Sequence, residues 1–244
     1  MRHGAAVKAF PPPTEGEIFE GDVHGFCFGE RGAATHIAIL PDIYRCNGLY
    51  RGLSQRFTQK GARVTLVDPF RGLGELSAVT REAAFARCRN VRDAAFIDHL
   101  EGAALREHVS GVLGFCLGGP YVFELARRGL PLALIGLYGF PHGMANSDPL
   151  PVPSDYLEKV SRSFTMLMGS QDASVGPDTV SRLKVMSPCI PALKSRVYEN
   201  VGHGFLPMVD SENPEERGVA IDALKHIDEG LFRSADGTAS RGVA

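Results

Sequence analysis

One stretch, Val112-Leu113-Gly114-Phe115-Cys116-Leu117-Gly118-Gly119, constrains the fold of this chain more than any other. A short apolar run enters it, and Tyr121-Val122-Phe123-Glu124-Leu125-Ala126 leaves it with helical periodicity. Between them lies Gly-x-Cys-x-Gly, the pattern of a nucleophile elbow with cysteine in place of serine. A reactive side chain at a sharp strand-to-helix turn sits in strained backbone, and side chains two residues to either side would collide with the turn. Glycines at 114 and 118 remove that collision. The following helix points its N-terminus at Cys116, and the partial positive charge there favours a thiolate. A buried cysteine in a glycine-rich turn would show the same short pattern, so the rest of the chain has to decide between the two.

With 244 residues, 44% of them hydrophobic, the chain can bury a substantial core within one α/β domain. Its 26 basic and 28 acidic side chains are interspersed and leave a formal net charge of −2. That balance argues against nucleic acid or an anionic membrane as a partner. The five cysteines have no C-x-x-C spacing and are odd in number, which reads as reduced thiols, neither a disulfide framework nor a metal site. Neither a secretory h-region at the start nor a run of membrane-spanning length is visible, so the expected location is the cytoplasm.

Residues 1–16, with Pro11-Pro12-Pro13, read as an irregular N-terminal segment; 17–233 as the folded domain; and 234–244 as a flexible tail. Partial alternation from Glu17 to Phe28 suits antiparallel strands at a sheet edge. Apolar strands follow at 35–40, 63–67, 111–115, 132–138, 164–168 and 194–198. Helices are expected over 49–57, 81–108, from the elbow to Arg128, and over 214–232. Apolar strands alternating with helices predict a mainly parallel sheet covered on both faces.

Three candidate reactive residues fall at the carboxyl ends of such strands, where open α/β sheets place their active groups: Cys116, Asp172 and His203. Asp172 by itself would pass for a turn residue, and His203 between glycines for a loop histidine. Their order is that of the α/β-hydrolases, nucleophile, acid, histidine, and together they point to catalysis. Cys116 would attack to give a thioester acyl-enzyme, His203 would move its proton and later activate water, and Asp172 would fix the imidazole tautomer. The backbone N–H of Leu117 would form half of an oxyanion hole, and one near Ile43 the other half.

With these residues in place, the chain resembles the dienelactone hydrolase family from roughly Gly25 to Phe232. The resemblance rests on the elbow, on Gly169-Ser170-Gln171-Asp172, on Gly202-His203-Gly204-Phe205, and on Pro41-Asp42-Ile43-Tyr44 with Val67-Asp68-Pro69-Phe70. It implies a cofactor-independent hydrolase of small esters or lactones, acting as a monomer or homodimer without a metal. It also implies that Asp42 stands where the family has a glutamate that activates the cysteine. Here the side chain is one methylene shorter, and capping of the turn is the other role open to it. Arg81, Phe85 and Phe205 become candidate substrate contacts, Arg81 matching one of two arginines that hold a substrate carboxylate. The position of the second is Pro207, and Phe85 replaces an aromatic hydroxyl. Hydrolysis is therefore better supported than dienelactone as substrate. A thioesterase or general carboxylesterase with the same triad is the alternative within enzymes. A non-catalytic ligand-binding protein is the alternative outside them, and an intact triad argues against it.

Overall fold

The computed structural model describes residues 5–232, so the expected tail at 234–244 lies outside the described residues. Its centre follows from the continuous apolar runs. Strands β3 (Thr35–Leu40), β4 (Ala62–Val67), β5 (Gly111–Phe115), β6 (Ala133–Leu137) and β7 (Phe164–Gly169) are buried along almost their whole length. Strands covered by helices on both faces have no solvent side on which to place polar residues. The last strand, β8 (Leu193–Tyr198), mixes buried with exposed positions because it lies at an edge. The alternating stretch at the start forms β1 (Glu17–Glu20) and β2 (His24–Phe28).

All eight strands join one sheet in the order β1-β2-β4-β3-β5-β6-β7-β8. The β1–β2 and β2–β4 pairings are antiparallel, and every pairing from β4 to β8 is parallel. Helices α1 (Gly48–Thr58), α4 (Gly118–Arg127) and α6 (Pro214–Leu231) pack on the sheet. Successive strand residues face opposite sides. Ile135 approaches Gly230 of α6, and its neighbour Gly136 faces Val122 of α4, so these two helices cover opposite faces. Arg56 of α1 and Lys60 just beyond its end both reach Asp228 of α6, and Phe57 packs on Phe232. Among the described residues no helix is long and apolar enough to cross a membrane.

One expected element divides. In place of a continuous helix over 81–108 there are α2 (Arg81–Cys88) and α3 (Asp93–Arg106), and α5 (Pro177–Met186) follows β7. The break is made by a distant loop. Ser147 donates its N–H to the Arg89 carbonyl at 2.8 Å and accepts from the Asp93 N–H at 3.1 Å, taking up groups that a continuous helix would use internally.

That break frees Asp93 to work on the elbow helix. Buried at 3% exposure, it accepts from Tyr121 Oη of α4 at 2.6 Å and from Asn146 Nδ2 at 3.2 Å. Burial outweighs both donors and pushes its carboxyl up from 3.8 to about 6. Because the folded-state value is raised, the ionised carboxylate costs stability. The cost is absent below about pH 4, grows as pH rises through 4 to 6, and is complete above that, at about 2–3 kcal/mol. Asp93→Asn keeps an acceptor for Tyr121 without the charge. The difference in Tm between variant and wild type should therefore shift in the variant's favour from pH 4 to pH 6 and then level off. A constant difference across that range would show that Asp93 does not titrate there.

Candidate active site

The elbow forms because β5 ends abruptly at the centre of the sheet. Cys116 adopts φ +51°, a left-handed conformation unfavourable for a side-chain-bearing residue, and its N–H is held by the Leu137 carbonyl at 3.0 Å. The flanking glycines are steric necessities. A Cβ on Gly114 would lie 2.2 Å from the Gly118 carbonyl oxygen, and one on Gly118 would lie 2.5 Å from that of Leu40. Helix α4 can then start directly beneath the sulfur.

The strand order does the rest. Strand β3 lies beside β5, so the loop after Leu40 runs alongside the elbow. The backbone N–H groups of Leu117 and Ile43 lie near enough to the Cys116 thiol to favour its anion. Asp42, next to Ile43, accepts from the Tyr44 N–H at 2.8 Å and holds its own N–H toward Tyr50 Oη at 3.2 Å.

Strands β7 and β8 deliver the other two members. Asp172 is fully buried, and its Oδ1 accepts from the Ser174 and Val175 N–H groups at 2.9 and 3.0 Å. Its Oδ2 lies 2.8 Å from His203 Nδ1, which orients the imidazole with Nε2 away from the acid. The ring sits against Tyr138 at 4.8 Å and Phe140 at 5.8 Å between centroids. Cys116, His203, Asp42, Ile43, Arg81, Phe85 and Tyr138 all line a single cavity of about 620 Å³. No hydrogen bond joins Cys116 Sγ to His203 among the described residues.

One expected contact needs correction. Phe205 does not line the cavity: it is fully buried behind Tyr138, edge-on at 5.4 Å, and packs on Tyr198. Arg71 is also outside the cavity, paired with Glu20 at 3.1 Å and touching His24. His142 packs on Phe140 and is not a lining residue. Arg81 sits exposed at the rim, donating to Ser174 Oγ at 3.1 Å with its guanidinium over the Phe85 ring, and Pro207 lines the wall. Tyr44, Ser174, Met208 and Asp210 are among the lining residues not singled out as contacts; Tyr44 directly follows Ile43, and Ser174 lies two places after Asp172. Among the described residues no cluster of three or more His, Cys, Asp or Glu could hold a metal.

The thiol itself differs from expectation. Burial is the largest influence and pushes Cys116 well above the ordinary thiol value; the Asp42 carboxylate pushes it further, against the lowering by the Leu117 and Ile43 N–H groups. The helix N-terminus therefore does not yield a standing thiolate, because desolvation of the anion is the stronger effect. At pH 7 iodoacetamide should modify Cys116 more slowly than the exposed Cys189, with the Cys116 rate climbing as pH rises beyond 8. Asp42→Asn removes the repelling charge and should speed modification of Cys116 about tenfold at neutral pH. Peptide mass spectrometry resolves the two sites, and faster labelling of Cys116 than Cys189 in the wild type would contradict a neutral resting thiol.

Comparison with known proteins places this geometry. Residues 33–227 match the model of the dienelactone hydrolase family. The chain is 38% identical over 226 residues to carboxymethylenebutenolidase 2 of Cupriavidus pinatubonensis, covering 92% of this chain and 96% of that protein. It is 26% identical to the carboxymethylenebutenolidase of Rhodococcus opacus, covering 80% and 79%. Among solved structures, one from Klebsiella pneumoniae, provisionally named a dienelactone hydrolase, superimposes with a TM-score of 0.71 at 20% identity over 86% of this chain and 92% of that one. A dienelactone hydrolase-like promiscuous phosphotriesterase from metagenomic libraries gives 0.59 at 17% identity, covering 88% and 97%. With its parallel sheet, its elbow and these matches, the chain belongs to the dienelactone hydrolase family and has the α/β-hydrolase fold.

Proposed function

We propose that this protein hydrolyses small esters or lactones with Cys116 as nucleophile, His203 as base and Asp172 as its orienting acid. The observation that carries the proposal is one cavity lined by both Cys116, on its strained elbow, and His203, whose Nδ1 lies 2.8 Å from the buried Asp172. The names of the two carboxymethylenebutenolidase relatives support the reaction class.

The reaction runs as acyl transfer in two halves. The substrate carbonyl oxygen takes the N–H groups of Leu117 and Ile43. The thiol passes its proton to His203, the S–C bond forms, and the developing oxyanion rests on the two donors. Collapse breaks the C–O bond, and His203 returns the proton to the leaving oxygen. Water then attacks the thioester while His203 accepts its proton, and the thiol is regenerated. Asp172 stabilises the imidazolium in each half. Burial, with the Asp42 charge adding to it, holds the thiol neutral at rest, which restricts nucleophile formation to the loaded site.

Cys116→Ala should lower ester turnover more than about a thousandfold without unfolding the chain, because the turn requires small residues and no sulfur. His203→Ala should cost several orders of magnitude in kcat, and Asp172→Asn as much or less through the wrong tautomer. Near-normal turnover in Cys116→Ala, with the circular dichroism spectrum preserved, would remove the cysteine from the mechanism.

Selectivity among esters follows from the charges present. A carboxylate is held best by paired cations, and each lost charged contact costs about 1.5–3 kcal/mol. Among the described residues Arg81 is the one Arg or Lys lining the cavity; Pro207 stands on the wall at the position of the second arginine, and Arg71 is committed elsewhere. Dienelactone should therefore be a poorer substrate than short neutral esters, and Arg81→Ala should raise KM for anionic substrates alone. A kcat/KM for dienelactone above that of every neutral ester tested would overturn this selectivity.

A further inference from the structure

The cavity has a wall that the triad and the oxyanion donors do not account for. Ala5, Ala6 and Val7 line it, although they belong to the segment preceding β1. Val7 and Phe10 anchor this segment, each buried to 5% exposure in the main core. It crosses the start of α1 where that helix has no side chain, since a Cβ on Gly48 would lie 3.0 Å from the Ala6 nitrogen. Farther along, Arg51 of α1 donates to the Thr14 carbonyl at 3.2 Å.

A segment outside the sheet has backbone N–H groups to satisfy. Those of Lys8 and Ala9 donate to the two carboxylate oxygens of Asp210, at 2.5 and 2.8 Å. Asp210 ends the short 3-10 turn Leu206–Asp210, on the loop that carries His203, and it lines the cavity with Pro207 and Met208. Two charge-assisted bonds thus tie the N-terminal segment to the loop of the candidate base. The face presented inward, Ala5 to Val7 with Leu49 and Met208 beside it, is aliphatic. It offers an ester nothing but van der Waals contact, so its effect on binding is one of size.

We infer that residues 5–10 form a specificity-determining strap, latched by Asp210, that limits the length of the aliphatic substituent an ester or lactone can place beside Cys116. The inference rests on the hydrolase assignment above and adds the substituent class to it. Asp210 and the strap position a wall and do not touch reacting atoms.

Two variants act in opposite directions. Asp210→Ala removes the latch from an exposed position, and Ala6→Leu thickens the wall. Across p-nitrophenyl esters from acetate to octanoate, Asp210→Ala should raise the octanoate-to-acetate ratio of kcat/KM about tenfold, chiefly through KM, and Ala6→Leu should lower it about tenfold. A readout independent of turnover is the modification of Cys116, in a Cys189→Ser background, by N-phenylmaleimide relative to iodoacetamide. That ratio should rise in Asp210→Ala and fall in Ala6→Leu. If neither the ester ratio nor the modification ratio moves in either variant, the strap is not a specificity wall. If the modification ratio moves as expected while the wild-type protein hydrolyses no ester, lactone or thioester, the wall stands and the hydrolase assignment fails.

Discussion

The left-handed backbone of Cys116 is the constraint on which the rest of this site depends. A cysteine at φ +51° persists only because its surroundings over-determine it: the Leu137 carbonyl takes its N–H, β5 fixes the chain before it, and α4 begins two residues later. The tightness of this arrangement leaves no room for a Cβ at 114 or 118. It also ties the elbow to the core, because the Asp93–Tyr121 hydrogen bond and the Phe96–Tyr121 ring contact at 4.8 Å fix the helix that leaves it.

At the sulfur, opposing effects are set against each other. Desolvation and the Asp42 charge favour the thiol, and two backbone donors favour the thiolate. Desolvation is the largest of these, so the resting Cys116 thiol is neutral. Asp172 is in the contrary position. It too is fully buried, yet two backbone N–H groups and the imidazole supply it with partners. A buried carboxylate so provided with donors can support a histidine at little cost.

The aromatic residues around His203 give the site its shape. Tyr138, itself at φ +40° at the end of β6, packs between the imidazole and the fully buried Phe205. Phe205 therefore belongs to the support of the histidine loop and not to its surface. The same loop continues to Asp210, so the segment that carries His203 also holds the N-terminal segment.

The sequence alone determined the strands, the elbow and the three polar strand-end residues, because each is written in local chemistry. Continuous apolar runs announce buried parallel strands, paired glycines announce the turn, and chain order restricts which residues can meet at one sheet edge. What tertiary structure decided was whatever depends on a distant partner. Ser147 divides 81–108 into two helices by taking up backbone groups, which no local periodicity could signal. The neutrality of the Cys116 thiol follows from burial, whereas the adjacent helix N-terminus, the only part visible in sequence, points the other way. Phe205 falls outside the cavity for a related reason: sequence places a residue in a loop but does not orient its side chain. The proline-rich start reads locally as irregular, and it becomes a wall of the site only because Asp210, some two hundred residues away, accepts its amides.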